Sequence, residues 1–215
     1  MLDQEQLMAQ IRKVQEDVQE AQEEIAAMVA VGHAAGESIE VEVGGEQLVR
    51  RFSISPRVVN LPLEELAMLE ELLKIATNNA LTKIQEATAE RMSIVTGGLD
   101  IPGFDGSSAN TLDQEQLMAQ IRQVQEDVQN AQEEIAAMLA LGHAAGESIE
   151  VEVGGDQLVH RFTISPRVVN LPAEEIAMLE ELLKIATNNA LTKIQEATAE
   201  RMSIVTGGLD IPGFD

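Results

Sequence analysis

Seven cations stand off the apolar seams of segments with helical periodicity: Arg12, Lys13, Lys83 and Arg91, then Arg122, Lys193 and Arg201. Guanidinium and ammonium groups projecting from helices can neutralise phosphates, and each such contact releases counterions and adds affinity for nucleic acid. These seven are the candidate phosphate-contacting residues. Arg51 and Arg57, near a sheet edge, are weaker candidates. The same side chains also fit a plainer role. Arg12 precedes Glu16 by four residues and Lys83 precedes Glu86 by three, while Glu86 lies near Glu90 and Arg91. Helix pairs at such spacing contribute about a few tenths of a kcal/mol and decorate a solvated surface. Asn78-Asn79 could read bases, but such a pair more often hydrogen-bonds across a helical interface and sets its register. The acid runs Glu64-Glu65 and Glu70-Glu71 read as solvated faces.

Other chemistry finds little support. Cysteine is absent, and His33, His143 and His160 have no companions at metal-ligand spacing, so neither a metal nor a cofactor is expected. No G-x-S-x-G, H-E-x-x-H, P-loop or strand-following G-x-G-x-x-G occurs, and catalysis on a small-molecule substrate is not expected. Fourteen Lys and Arg against 37 Asp and Glu leave a net charge of −23, which excludes a uniformly basic nucleic-acid coat. With no Trp or Tyr and only four Phe, a single-strand binder built on aromatic stacking is excluded too. The longest apolar stretch, around Ile25–Val31, is too short for a bilayer, and the N-terminus lacks a secretory pattern. A cytoplasmic location and no membrane partner are expected.

The elements that position these residues occur twice. Residues 2–105 realign on 112–215 at a constant offset of 110 with nine differences. These are Lys13/Gln123, Glu20/Asn130, Val29/Leu139, Val31/Leu141, Glu46/Asp156, Arg50/His160, Ser53/Thr163, Leu63/Ala173 and Leu66/Ile176. The expected organisation is a first domain over 1–105, a small polar linker over 106–111, and a second domain over 112–215. Two near-identical domains on a short tether suggest a covalently joined dimer, since a symmetric interface needs the same patch on both partners.

Within each copy the periodicity changes twice. Leu7, Ile11, Val14, Val18, Ala21, Ile25 and Met28 recur in steps of four and three, a heptad seam that wants a partner helix. Met28–His33 reads as a short strand. Ser38–Val43 alternates Ile and Val with Glu, Gly44-Gly45 supplies a tight turn, and Gln47–Ile54 returns. From Pro62 to about Val95 a broad apolar surface recurs at helical spacing, with Leu69, Leu73 and Ile84 on its main stripe. The order is α-β-β-β-α, twice. The fold class is α+β: two α-β(3)-α units with three-stranded antiparallel sheets, packed as a pseudo-symmetric single-chain dimer in the order sheet, helices, sheet. The expected interface between the copies comprises Leu7, Ile11, Val14, Val18, Leu69, Leu73, Asn79 and Ile84 in the first. In the second it comprises Ile121, Val124, Val128, Leu179, Leu183, Asn189 and Ile194.

The ordered series then resembles the YbaB/EbfC family of bacterial nucleoid-associated proteins. It is carried by Gln22-Glu23-Glu24-Ile25, Gly36, Arg50-Arg51-Phe52-Ser53-Ile54-Ser55-Pro56, Met68-Leu69-Glu70-Glu71-Leu72 and Ala76-Thr77-Asn78-Asn79-Ala80. Lys83-Ile84-Gln85-Glu86, Glu90-Arg91-Met92 and the PGF of the tail complete it. The resemblance implies a tight dimer with helices between two sheets, DNA binding through the helices, with Arg12, Lys13, Lys83, Arg91, Arg122, Lys193 and Arg201 as the candidate DNA-binding residues, a nucleoid or regulatory role, and no catalysis. Two features depart from it: Lys13 becomes Gln123 in the second copy, and the second helix has Thr82-Lys83 where a basic pair is common. The expected function is weak, largely backbone-directed duplex DNA binding, on the order of micromolar or weaker against the acidic surface. The alternatives are an acidic interaction or scaffold module that meets a basic protein, and a fused or engineered form of the fold without its own role.

Overall fold

The computed structural model describes residues 4–59, 65–96, 126–146, 148–168, 172 and 175–206. The first copy runs α1 (Gln4–Ala27), β1 (Val29–Ala34), β2 (Ile39–Gly44), β3 (Val49–Ile54), a short α2 (Pro56–Val59) and a long α3 (Leu66–Thr96). The second runs α4 (residues 126–136), β4 (Leu139–Ala144), β5 (Ile149–Gly154), β6 (Val159–Ile164), one 3-10 turn (Pro166–Val168) and α5 (Ile176–Thr206). The expected linker lies outside the described residues.

Each copy holds a three-stranded antiparallel sheet, in the order β1-β2-β3 and β4-β5-β6. Alternation decides the faces: Ile39, Val41 and Val43 are wholly buried, whereas Glu40 and Glu42 stay half-buried on the opposite face. The β2–β3 connection is longer than a two-residue turn. The Gly44 amide donates to Leu48 O at 2.9 Å, the Gln47 amide donates to Gly44 O at 2.8 Å, and Gln47 rather than a glycine takes the left-handed conformation. Gly45 serves proximity instead. A Cβ there would stand 1.6 Å from Ile25 O, so its absence lets the hairpin press on the end of α1.

The long helix crosses its own sheet at Gly32, where a Cβ would meet Ala76 O at 2.0 Å. It then passes β1, reaches α1 where Arg91 hydrogen-bonds Glu24, and runs on to Thr96. The wholly buried Ala21 lies one turn from Glu24 on α1. The C-terminal end of the α1 seam is thus used within its own copy, and α1 packs with the distal part of α3 as a two-helix arm.

The two copies share one continuous core. At its centre Phe52 and Phe162 meet edge to face, with ring centroids 6.5 Å apart and planes at 88°. Each long helix lies between its own sheet and the third strand of the other copy. The Ile164 amide donates to Glu70 Oε1 at 2.8 Å, the Val159 amide to Asn78 Oδ1 at 2.8 Å, and Asn78 Nδ2 back to Val159 O at 2.8 Å. Gln85 Nε2 reaches Asp156 O at 3.5 Å. As the helix number rises the strand number falls, so α3 runs antiparallel to β6. Glu180, Asn188 and Gln195 repeat the pattern on Ile54, Val49 and Glu46.

Candidate nucleic-acid interface

Both edges of each sheet are closed by helix side chains. The edge of β3 is closed by Glu180 and Asn188 of the other copy. The edge of β1 is closed from its own copy: Asn79 Nδ2 donates to His33 O at 3.3 Å and Lys83 Nζ to Val31 O at 2.7 Å. Asn189 and Lys193 do the same for His143 and Leu141. One helical turn separates the Asn from the Lys, and two strand residues separate their acceptors, so consecutive outward carbonyls are both met.

This geometry sorts the candidate cations. Lys83 and Lys193 are exposed but committed to a strand carbonyl, and they blunt a sheet edge. Arg91 and Arg201 are half-buried and hydrogen-bonded to Glu24 and Glu134 across the two helices of each arm. The Arg201 bond holds the Glu134 carboxyl below its ordinary range, and the carboxylate in turn raises Arg201. Arg12 and Lys13 are exposed on α1 and make no ion pair among the described residues; the Arg12 to Glu16 helix pair does not form. Arg122 lies outside the described residues. Arg51 approaches Glu42 at 4.0 Å, and the exposed Arg57 has no side-chain partner among the described residues.

The expected interface residues are also sorted. Leu69, Leu73, Ile84, Leu179, Leu183 and Ile194 are buried in the common core, and Val18 and Val128 are half-buried. The side chains of Leu7, Ile11, Val14, Ile121 and Val124 lie outside the described residues. Asn79 and Asn189 do not cross between the copies: they bond their own first strand, and the neighbouring Asn78 and Asn188 make the crossing. One helical residue is a rotation of about 100°, enough to move a side chain from one flank of the helix to the other. Glu70 likewise is no solvated decoration, since its carboxylate is half-buried on Ile164. The signal for the crossing residues was their spacing: Glu70, Asn78 and Gln85 recur in steps of eight and seven beside the apolar stripe.

Among the described residues no group of His, Asp and Glu could hold a metal ion, and no helix is long and apolar enough to cross a membrane. A shallow groove of about 570 Å³ lies beside β4, lined by Leu139, Leu141, His143, Lys193 and Ile194 among others.

Two α-β(3)-α units complete each other's sheet edges, and the first arm carries the exposed cations Arg12 and Lys13, which make no ion pair among the described residues. That arrangement defines a pseudo-dimeric binding protein. The chain belongs to the YbaB/EbfC DNA-binding family, which it matches twice, over residues 1–99 and 110–209. It is similar to a nucleoid-associated protein of Chloroflexus aurantiacus, 42% identical over 98 residues that make up 46% of this chain and 96% of the relative. One from Nocardia farcinica is 38% identical over 102 residues, 47% of this chain and 91% of the relative. One from Legionella pneumophila is 34% identical over 96 residues, 45% of this chain and 83% of the relative. Each relative therefore corresponds in length to about one copy.

Proposed function

We propose that the chain is a nucleoid-associated protein that binds duplex DNA weakly, through backbone phosphates, with its helical arms. Family membership supports DNA as the ligand and the bacterial nucleoid as its place. The observation that carries the site is the pair Arg12 and Lys13, exposed on α1 and unpaired among the described residues, while the arm's other cations are engaged. An unpaired cation can exchange its counterion for a phosphate without first breaking a bond within the protein. The acidic residues Glu16, Asp17, Glu20 and Glu23 nearer the root repel the duplex and hold affinity down.

A gel-shift titration at low salt tests this. We expect a shift in the micromolar range that weakens steeply with salt. Replacing Arg12 and Lys13 by Ala should lower the slope of log affinity against log salt by about 0.9 for each phosphate no longer neutralised. Replacing Lys83 should act through folding stability instead. No shift at tens of micromolar, or a salt slope indifferent to Arg12 and Lys13, overturns the assignment. Capture of a basic protein in place of DNA would favour the acidic-scaffold reading, which the net charge of −23 supports.

A further inference from the structure

The side chains seen to bond across the pseudo-two-fold axis among the described residues are the same in both copies: Glu70 and Glu180, Asn78 and Asn188, Gln85 and Gln195. Four of the nine differences lie around the root of the arm, and a fifth lies further along its helix. Glu46/Asp156 and Arg50/His160 lie in and beside the β2–β3 turn, Val29/Leu139 and Val31/Leu141 on the adjoining first strand, and Glu20/Asn130 along the arm helix.

In the first copy the root is clamped. Arg50 Nη2 donates to Ala26 O at 2.9 Å and to Glu46 Oε2 at 3.0 Å, and Arg50 Nε donates to Glu46 Oε1 at 3.3 Å. Ala26 belongs to the last turn of α1, where carbonyls lack intrahelical donors and the helix dipole is negative, so a guanidinium there caps the helix and ties it to the hairpin. Partial burial pushes the Glu46 carboxyl up, but its hydrogen bonds with Arg50 and with its own amide, and the Arg50 charge, outweigh this and hold it below the usual range. Both Glu46 carboxylate oxygens thus accept from Arg50 and keep the guanidinium in place.

In the second copy the clamp is missing. The shorter imidazole of His160 stops at Asp156, with Nε2 3.4 Å from Oδ1, and Asp156 Oδ1 also accepts the Leu158 amide at 3.1 Å. No described side chain reaches Ala136 O. The Ala137 amide is shared between Glu133 O and Glu134 O, both at 3.2 Å, and α4 stops at residue 136, one position short of the point equivalent to the end of α1.

We propose that Arg50 is a positioning residue that locks the first copy's arm to its hairpin, and that the arms have diverged into a fixed one and a looser one, so that the chain grips DNA asymmetrically through the first. The asymmetric grip rests on the DNA reading above; the anchoring stands apart from it.

Amide hydrogen exchange on the intact chain tests the anchoring, because the peptides spanning 20–31 and 130–141 differ in sequence and can be told apart. Amides at the first root should exchange about tenfold more slowly than those at the second, as expected for the absence of one charge-assisted bond. R50H should erase the difference, H160R combined with D156E should slow the second root, and R50K should restore protection only in part, since an ammonium lacks the planar fork. Equal exchange at the two wild-type roots, or no effect of R50H, overturns the anchoring. DNA titration of the same proteins tests the grip: R50H should weaken binding severalfold. Unchanged affinity of R50H, where wild type shows the exchange contrast and R50H loses it, overturns the asymmetric grip. Absence of wild-type binding overturns the DNA reading itself and leaves the exchange contrast standing.

Discussion

Gly32 and Gly142 each leave the space in which a helix backbone sits. Replacing Gly32 by Ala would place a Cβ 2.0 Å from Ala76 O and 2.6 Å from Ala80 N. Those are backbone atoms, so no rotamer change relieves the clash. We expect G32A to destabilise by about 1–3 kcal/mol, as overpacking does, with a matching fall in the urea midpoint. The Glu134–Arg201 pair makes a prediction in pH. A carboxyl whose folded value is depressed contributes stability above its unfolded value, and this is lost as the pH falls through the folded value. The stability difference between wild type and E134Q should therefore be constant from neutrality down to about pH 5 and shrink below the ordinary glutamate value of 4.5. Both groups are solvent-accessible, so salt should reduce the difference at every pH. Denaturant titrations across that range check it.

A three-stranded sheet has two open edges, which invite pairing with other strands. Here the long helices close both, with Asn79 and Lys83 on the near edge and Glu180 and Asn188 of the other copy on the far edge. Asn78 gives and receives on one residue of β6, so it satisfies a backbone donor and a backbone acceptor together. N78A should leave both bare in a half-buried place and cost about 1–3 kcal/mol. N78D should recover little, since a carboxylate accepts from Val159 N but repels Val159 O. N79A should cost less, because its acceptor is exposed. Thermal unfolding of the three variants ranks them; a larger effect at Asn79 than at Asn78 contradicts the edge assignment.

The two copies bury a single core whose central aromatic pair, Phe52 on Phe162, neither can make alone. We expect an isolated half, residues 1–105, to form a homodimer in which the same packing recurs. Its unfolding midpoint should then rise with protein concentration, whereas that of the tandem chain, with its partner at roughly millimolar effective concentration, should not. Sedimentation and urea denaturation at two concentrations measure this. A half that stays monomeric and as stable as the tandem contradicts the shared core.

Periodicity by itself made the strands, the long helices and the duplicated α-β(3)-α order legible, because alternation by two and by about 3.6 residues reports which face meets the core. The ordered motifs carried the family as well. What local pattern could not decide was which flank of α3 meets which copy. Asn78 and Asn79 are chemically identical and adjacent, and only the crossing of α3 over Gly32 turns one toward Val159 and the other toward His33. The same holds for the cations: Lys83, Arg91 and Arg12 look alike as charges along a helix. Whether each meets a carbonyl, a carboxylate or solvent depends on chain segments 52 and 67 residues away, which only the assembled fold brings near.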